Sequence, residues 1–166
     1  MSIVLDGTLG ITSVTGSASL AVAGPTFSAY ATTNQTISSS TFTKIVLNAK
    51  DFDTNSNFDA TTNYRFTPTV AGYYQIDASV FYNSSAVSGL GYLAIYKNGS
   101  NYKVSAGFYN TSGYLPLTIS SVVYCNGSTD YIELYSQQSS GSSQNTQATS
   151  TGGNSVFMSG VLVRSA

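Results

Sequence analysis

The sequence predicts an all-β domain, a sandwich, jelly roll or barrel, and three observations carry that reading. Residues alternate in YYQIDASVFY so that Tyr74, Ile76, Ala78, Val80 and Tyr82 share one face, the period of two of a half-buried strand. Asn98-Gly99 separates two strand-like runs, and Asn-Gly suits a type I′ hairpin turn because both central residues need positive φ. Gly, Asn, Ser and Thr interrupt every candidate amphipathic helix, and β-branched and aromatic residues fill the gaps.

The elements follow in chain order. Residues 1–24, MSIVLDGTLGITSVTGSASLAVAG, hold no aromatic residue and end before Pro25, so they read as an arm separate from a body at 25–166. The arm is apolar at Ile3, Val4, Leu5, Leu9, Ile11, Val14, Leu20 and Val22 and needs burial against something. After the 73–82 run, Tyr92, Ala94 and Tyr96 alternate with Leu93 and Ile95. Asn126-Gly127, between ISSVVYC and TDYIELYS, offers a second hairpin cue. Residues 137–154, QQSSGSSQNTQATSTGGN, lack an apolar pattern and read as a long exposed loop. The run VFMSGVLVRSA supplies a final strand.

Composition excludes several classes. A length of 166 residues fits one domain with a short extra segment. Charged residues make up 8%, against about 25% in ordinary soluble domains. Ser and Thr together number 48, so the surface is neutral and rich in hydroxyls. The six Lys and Arg are scattered and the formal net charge is −1, which argues against a counterion-displacing nucleic-acid face. No apolar stretch approaches the ~20 residues of a membrane span, and no signal peptide is evident, so neither membrane insertion nor secretion is expected. One cysteine, Cys125, allows no intrachain disulfide.

FTPTVAGYY, residues 66–74, carries a more specific signal. Phe66 is followed after five residues by Gly72, then by Tyr74; Phe42 is followed after five residues by Asn48; and Phe58 lies between. This spacing resembles the motif of the complement C1q globular head, whose ten-stranded jelly roll is shared with the tumour necrosis factor family. FSAY (27–30), FTKIVLN (42–48), YLAIYKNG (92–99), YIELYSQ (131–137) and NSVFMSGVLV (154–163) resemble further landmarks in the same order. The last resembles a Ser-x-Phe-Ser-Gly closing strand through Phe157 and Gly160, with Met158 inserted. The segment between Asn48 and Phe66 is longer than the motif's, and the usual cysteines and collagen stalk are missing. With IVLDGTLGI similar to the start of phage fibre-type proteins, the resemblance implies a bacteriophage virion protein. It also implies a tight homotrimer, consistent with 13 Tyr and 8 Phe exceeding what one small core holds.

Candidate sites are few. The chain has no His, so the usual base near neutral pH is missing, no Ser-His-Asp or Cys-His arrangement can be built, and no catalytic residue is assigned. Cys125 reads as a small core residue. Two carboxylate groupings, Asp51, Asp53 and Asp59 in the central loop and Asp130 with Glu133, present no special pair for glycoside hydrolysis. Asp51, Asp53, Asn55 and Asn57 form an alternating oxygen-ligand run that would suit Ca²⁺, although Asx turns explain it equally well. Five Asn-x-Ser/Thr triplets are close to chance and imply no glycosylation. Tyr92, Tyr96, Tyr102, Tyr109 and Tyr114 are candidates for core, trimer interface or carbohydrate and protein recognition.

The expected protein is therefore a non-enzymatic, trimeric C1q-like jelly roll, made in the host cytoplasm and displayed on the virion surface. Its arm, residues 1–24, would join other virion proteins. Two roles compete: a tail-fibre or receptor-binding module touching a host carbohydrate or protein, and a capsid decoration or head-fibre protein.

Overall fold

The computed structural model describes residues 24–84, 89–109 and 113–166, together with Leu5–Asp6 (β1) and Gly10–Ile11 (β2), which pair antiparallel. The rest of the expected arm lies outside the described residues, as do the side chains of Tyr109 and Tyr114. All described elements are strands or turns.

Two sheets form the body. The first runs β4 (Thr36–Ile37), β14 (Gln144–Thr146), β9 (Ala71–Ser84), β17 (Phe157–Ser165), β3 (Thr26–Tyr30) and β6 (Ala49–Asp53), with β12 (Gly113–Asn126) also paired to β9. β12 matches β9 along its whole length, from Gly113↔Ser84 to Asn126↔Ala71, so β17 and β14 divide the opposite edge of β9 between them. The second sheet runs β11 (Ser100–Tyr109), β10 (Gly89–Lys97), β13 (Ile132–Gln138), β8 (Arg65–Phe66) and β7 (Phe58–Asp59), with β5 (Thr43–Lys44) on β13. A small hairpin pairs β15 (Thr149–Ser150) with β16 (Gly153–Asn154).

The core lies between the sheets and follows the alternation in the sequence. Tyr74, Ile76, Ala78, Val80 and Tyr82 are all buried, facing Leu93, Ile95, Ile132 and Leu134 of the second sheet in one apolar cluster. Burial of each such aliphatic or aromatic side chain contributes roughly 1.5–3 kcal/mol. The turn at Asn98-Gly99 has the two positive φ angles, 54° and 76°, that its sequence requires.

Two expectations change. Asn126-Gly127 does not close a hairpin, because β12 belongs to the first sheet and β13 to the second. The pair turns the chain across the sandwich instead. Asn126 Oδ1 accepts the amides of Ser128, Thr129 and Asp130. Gly127 takes a φ of 71° where a Cβ would sit 2.3 Å from the Ala71 nitrogen. Residues 137–154 are not one exposed loop. They contribute the end of β13, β14, β15 and β16, and Gln138, Thr146 and Ala148 are buried. Hydrogen bonding makes this polar burial tolerable: Gln138 Nε2 donates to the carbonyls of Ile37 and Ser142, and Thr146 Oγ1 accepts the Gln35 amide. A hydrophobicity pattern cannot register segments buried this way.

The ends of the sandwich differ. Pro25 accepts a hydrogen bond from the Leu162 amide, and Ala166 donates to Ala71, so residues 24–25 and 165–166 share one end with the Asn98-Gly99 turn. The Leu90↔Phe108 and Asn145↔Asn83 pairings mark the opposite end.

Candidate interaction surfaces

Most motif residues build the core, and their spacing has a packing reason. Phe27 stacks on Phe66 at 4.3 Å and on Phe58 at 5.1 Å, and Tyr74 meets Phe66 edge-on at 5.4 Å. The Tyr74 hydroxyl donates to the Val70 carbonyl at 2.7 Å. A Cβ on Gly72 would lie 2.4 Å from the Arg164 carbonyl oxygen, so glycine there lets β17 cross β9 closely. A Cβ on Gly160 would sit 2.6 Å from the Phe27 ring. Asn48 is exposed and staples the bend after β3, its Oδ1 accepting the Thr32 amide at 2.9 Å. Phe42 and Phe157 stand apart. Phe42 is half-buried on the outside of the second sheet, tilted against Tyr92 and Tyr96. Phe157 is turned outward because inserted Met158 takes the inward position two residues before Gly160.

The oxygen-rich run at 51–57 does not converge on a point. Asp51 accepts the Ser28 hydroxyl at 2.8 Å. Asp53 turns the other way, accepting the amides of Asn57 and Phe58 and pairing with Lys50 at 3.0 Å. Burial raises the Asp53 pKa, but the Phe58 amide, Lys50 and the Asn57 amide outweigh it and hold the group below the ordinary carboxylate range. Asn55 accepts from Thr54, and Asn57 is bonded to Thr69. Asp59 caps its own loop through the amides of Thr61, Thr62 and Asn63, which push its pKa well down. Among the described residues no three acidic, His or Cys side chains gather as a metal site. Asp130 is tied to Asn98 and Lys97, and Glu133 to Lys44. Burial raises the Cys125 thiol to a pKa of about 11, a neutral core group at physiological pH.

The informative surface is the outside of the first sheet, toward the end where residues 24 and 166 emerge. Phe52, Tyr73, Val122, Tyr124, Val161 and Val163 are each between 40% and 58% exposed there. Val161 and Val122 flank Gln75 in one cross-strand row, and the rings of Tyr73 and Tyr124 meet at 5.4 Å in the next. An open cleft of about 530 Å³, lined by Tyr73, Val163, Arg164, Ser165 and Ala166, adjoins them. One row farther along, where Phe52 stands, the same face turns polar at Asp77, Ser120 and Ser159, and Ser79 continues it. A second apolar strip, Tyr102, Val104 and Phe108, lies on the edge strand β11 with Leu90 beside it.

The six sheet-face residues escaped the sequence reading, although a signal exists for all but Phe52. Tyr73-Tyr74, Val122-Val123-Tyr124 and Val161-Leu162-Val163 are consecutive apolar residues, and in a strand such runs make both faces apolar. Three such runs at one level of neighbouring strands leave the outer face apolar there.

No family model matches the chain, and no curated protein matches it in sequence. Solved structures do match in fold. The globular domain of zebrafish complement 1qA protein aligns at a TM-score of 0.58 and 16% identity, over 86% of this chain and 99% of that one. Murine APRIL aligns at 0.61 and 9%, over 84% and 98%. PRD1 vertex protein P5 aligns at 0.56 and 16%, over 85% of this chain and 74% of that one. The body therefore has the C1q/TNF-like jelly-roll fold expected from its motif spacing.

Proposed function

We propose that the chain is a non-enzymatic bacteriophage virion protein whose jelly roll assembles as a homotrimer on the particle exterior and contacts the host surface. The observation that carries the trimer is the uncovered apolar face of Phe52, Tyr73, Val122, Tyr124, Val161 and Val163. A closed ring needs two different patches on each copy, one donated and one covered. The β11 strip of Tyr102, Val104 and Phe108 supplies the second. Charged groups sit at the margins of both, Lys97 against Tyr124 and Lys103 against Tyr102, with the apolar residues at the centre. Residues 24–25 leave the body beside this face, which supports the arm, residues 1–24, as the link to other virion proteins. The opposite end, around Leu90, Asn83 and Asn145, then points away from the particle.

A second reading, capsid decoration or a head fibre, is favoured by the fold likeness to the PRD1 vertex protein, a phage protein. Immunogold labelling of particles with antibody to residues 25–166 separates the two. Label at the tail tip supports host adhesion, label over the head supports decoration, and absence of label from purified particles overturns the virion assignment. Light scattering on the purified chain tests the trimer, and a monomeric mass would overturn it.

A further inference from the structure

The outside of the second sheet carries a different arrangement from the apolar strip on the first. Tyr96 and Tyr135 stack there at 3.9 Å and 19° between rings, and Phe42 leans on Tyr96 at 6.0 Å. Lys44 lies 6.0 Å from the centre of the Tyr135 ring and is paired with Glu133, whose side chain is only 5% exposed. Arg65 sits 4.2 Å above the Tyr131 ring. The strand register sets Tyr96, Glu133 and Arg65 side by side on three neighbouring strands. Strands lie about 4.8 Å apart, so the Tyr96 and Arg65 positions are about 10 Å apart.

The charges on this platform are differently engaged. Glu133 pairs with Lys44, and Asp59, opposite Arg65 on β7, accepts the amides of its own loop, whereas Arg65 makes no hydrogen bond or ion pair with the described residues. Stacking on Tyr131 engages the face of the guanidinium and leaves its N–H edge open, a rigid fork that matches a carboxylate bidentately. Beside the fork, the tyrosine pair, stacked face to face, offers ring edges and hydroxyls. That combination suits a ligand with several hydroxyls and a carboxylate.

We infer that the outer face of the second sheet is a binding platform for carboxylated carbohydrate, with Arg65 holding the acid group and Tyr96 and Tyr135 supporting the sugar rings. The inference deepens the host-contact reading and rests on it for its biological setting. Arg65 lies on β8, separated from β11 by β10 and β13, so a ring that covers the first-sheet face and the β11 strip leaves the Arg65 side of the platform open.

The test uses the full chain and saturation-transfer NMR titration with a tetramer of galacturonic acid, beside the neutral galactose tetramer. The acidic tetramer is expected to bind and weaken as salt rises, while the neutral one binds at least about tenfold more weakly. Arg65→Gln is expected to abolish the difference between the two, and Arg65→Lys, which keeps the charge but loses the fork, to reduce it. Thermal melting confirms that each variant is folded. Equal binding of both tetramers, no binding of the acidic one, or unchanged binding by folded Arg65→Gln or Arg65→Lys would overturn the platform. Adsorption of particles lacking the protein judges the host-contact reading separately: if they adsorb normally that reading fails, while the NMR result still decides the platform.

Discussion

The outer faces of the two sheets are built from the same tyrosine-, serine- and valine-rich vocabulary and end up in opposite conditions. On the first, Val122, Val161 and Val163 stand about half exposed with nothing over them. On the second, Tyr92, Tyr96, Tyr131 and Tyr135 are covered in part by Phe42, Lys44 and Arg65, so that each ring has a neighbour. The difference lies in the neighbours. Beside Tyr73 and Tyr124 stand valines too short to reach across a strand spacing, whereas Phe42, Lys44 and Arg65 lean over the tyrosines of β10 and β13. The first face stays open to another molecule; the β10–β13 part of the second covers itself and keeps its polar tips available, while the β11 strip at its edge stays exposed.

The largest expected effect comes from attacking the first face. Val122→Glu combined with Val161→Glu places two carboxylates in one row of that face in every copy, and light scattering should report a folded monomer in place of the trimer. A trimer that survives would show that the strip is not the interface. Next comes the interior that both sheets share. Phe66→Ala removes the ring stacked between Phe27 and Tyr74, and should cost about 3–5 kcal/mol in denaturant unfolding. A loss under about 1 kcal/mol would mean that the aromatic stack does not hold the sandwich together. On the second face, Tyr135→Ala removes one of a stacked pair and should cost about 0.5–1.5 kcal/mol beyond the area it buries, without changing the oligomer mass. A shift to monomer there would reverse the assignment of the two faces.

The smallest effect is expected between pH 7 and 5. Asp53 and Asp130 are held below the usual carboxylate range: burial opposes the Asp53 shift and is outweighed by amides and Lys50, while the Asn98 side chain leads the lowering of Asp130. A depressed folded pKa contributes stability that is present above the unfolded value, about 3.9, and is lost as pH falls through the folded value. The melting temperature of the monomeric variant should therefore stay flat from pH 7 to 5 and decline below about 4. A decline already complete at pH 5 would show that these caps are not intact.

What the sequence revealed depended on whether a residue's surroundings are local. Alternation in 74–82 reports a strand because its period is carried by the strand itself, and Phe66, Gly72 and Tyr74 could be matched because one tight corner packs all three. Gln138 and Thr146 stayed hidden because their burial depends on carbonyls and amides from residues some hundred positions away. Asn126-Gly127 misled because a left-handed glycine serves a crossover as well as a hairpin, and only the partner strand distinguishes them. The oxygen-rich run at 51–57 looked like a ligand set because spacing alone does not reveal that Asp51 and Asp53 bond in different directions.

The shared exit of residues 24 and 166 has a practical meaning. A peptide fused after Ala166 would emerge beside the arm, at the same end as the uncovered face. The Ser140–Ser142 turn at the far end is a better place for cargo: a Cβ on Gly141 meets nothing within 4 Å, and its φ of 83° already suits a reversal of the chain. In the proposed trimer, an insertion there would place three copies around one axis, a multivalent scaffold whose spacing is set by the sandwich and not by a linker.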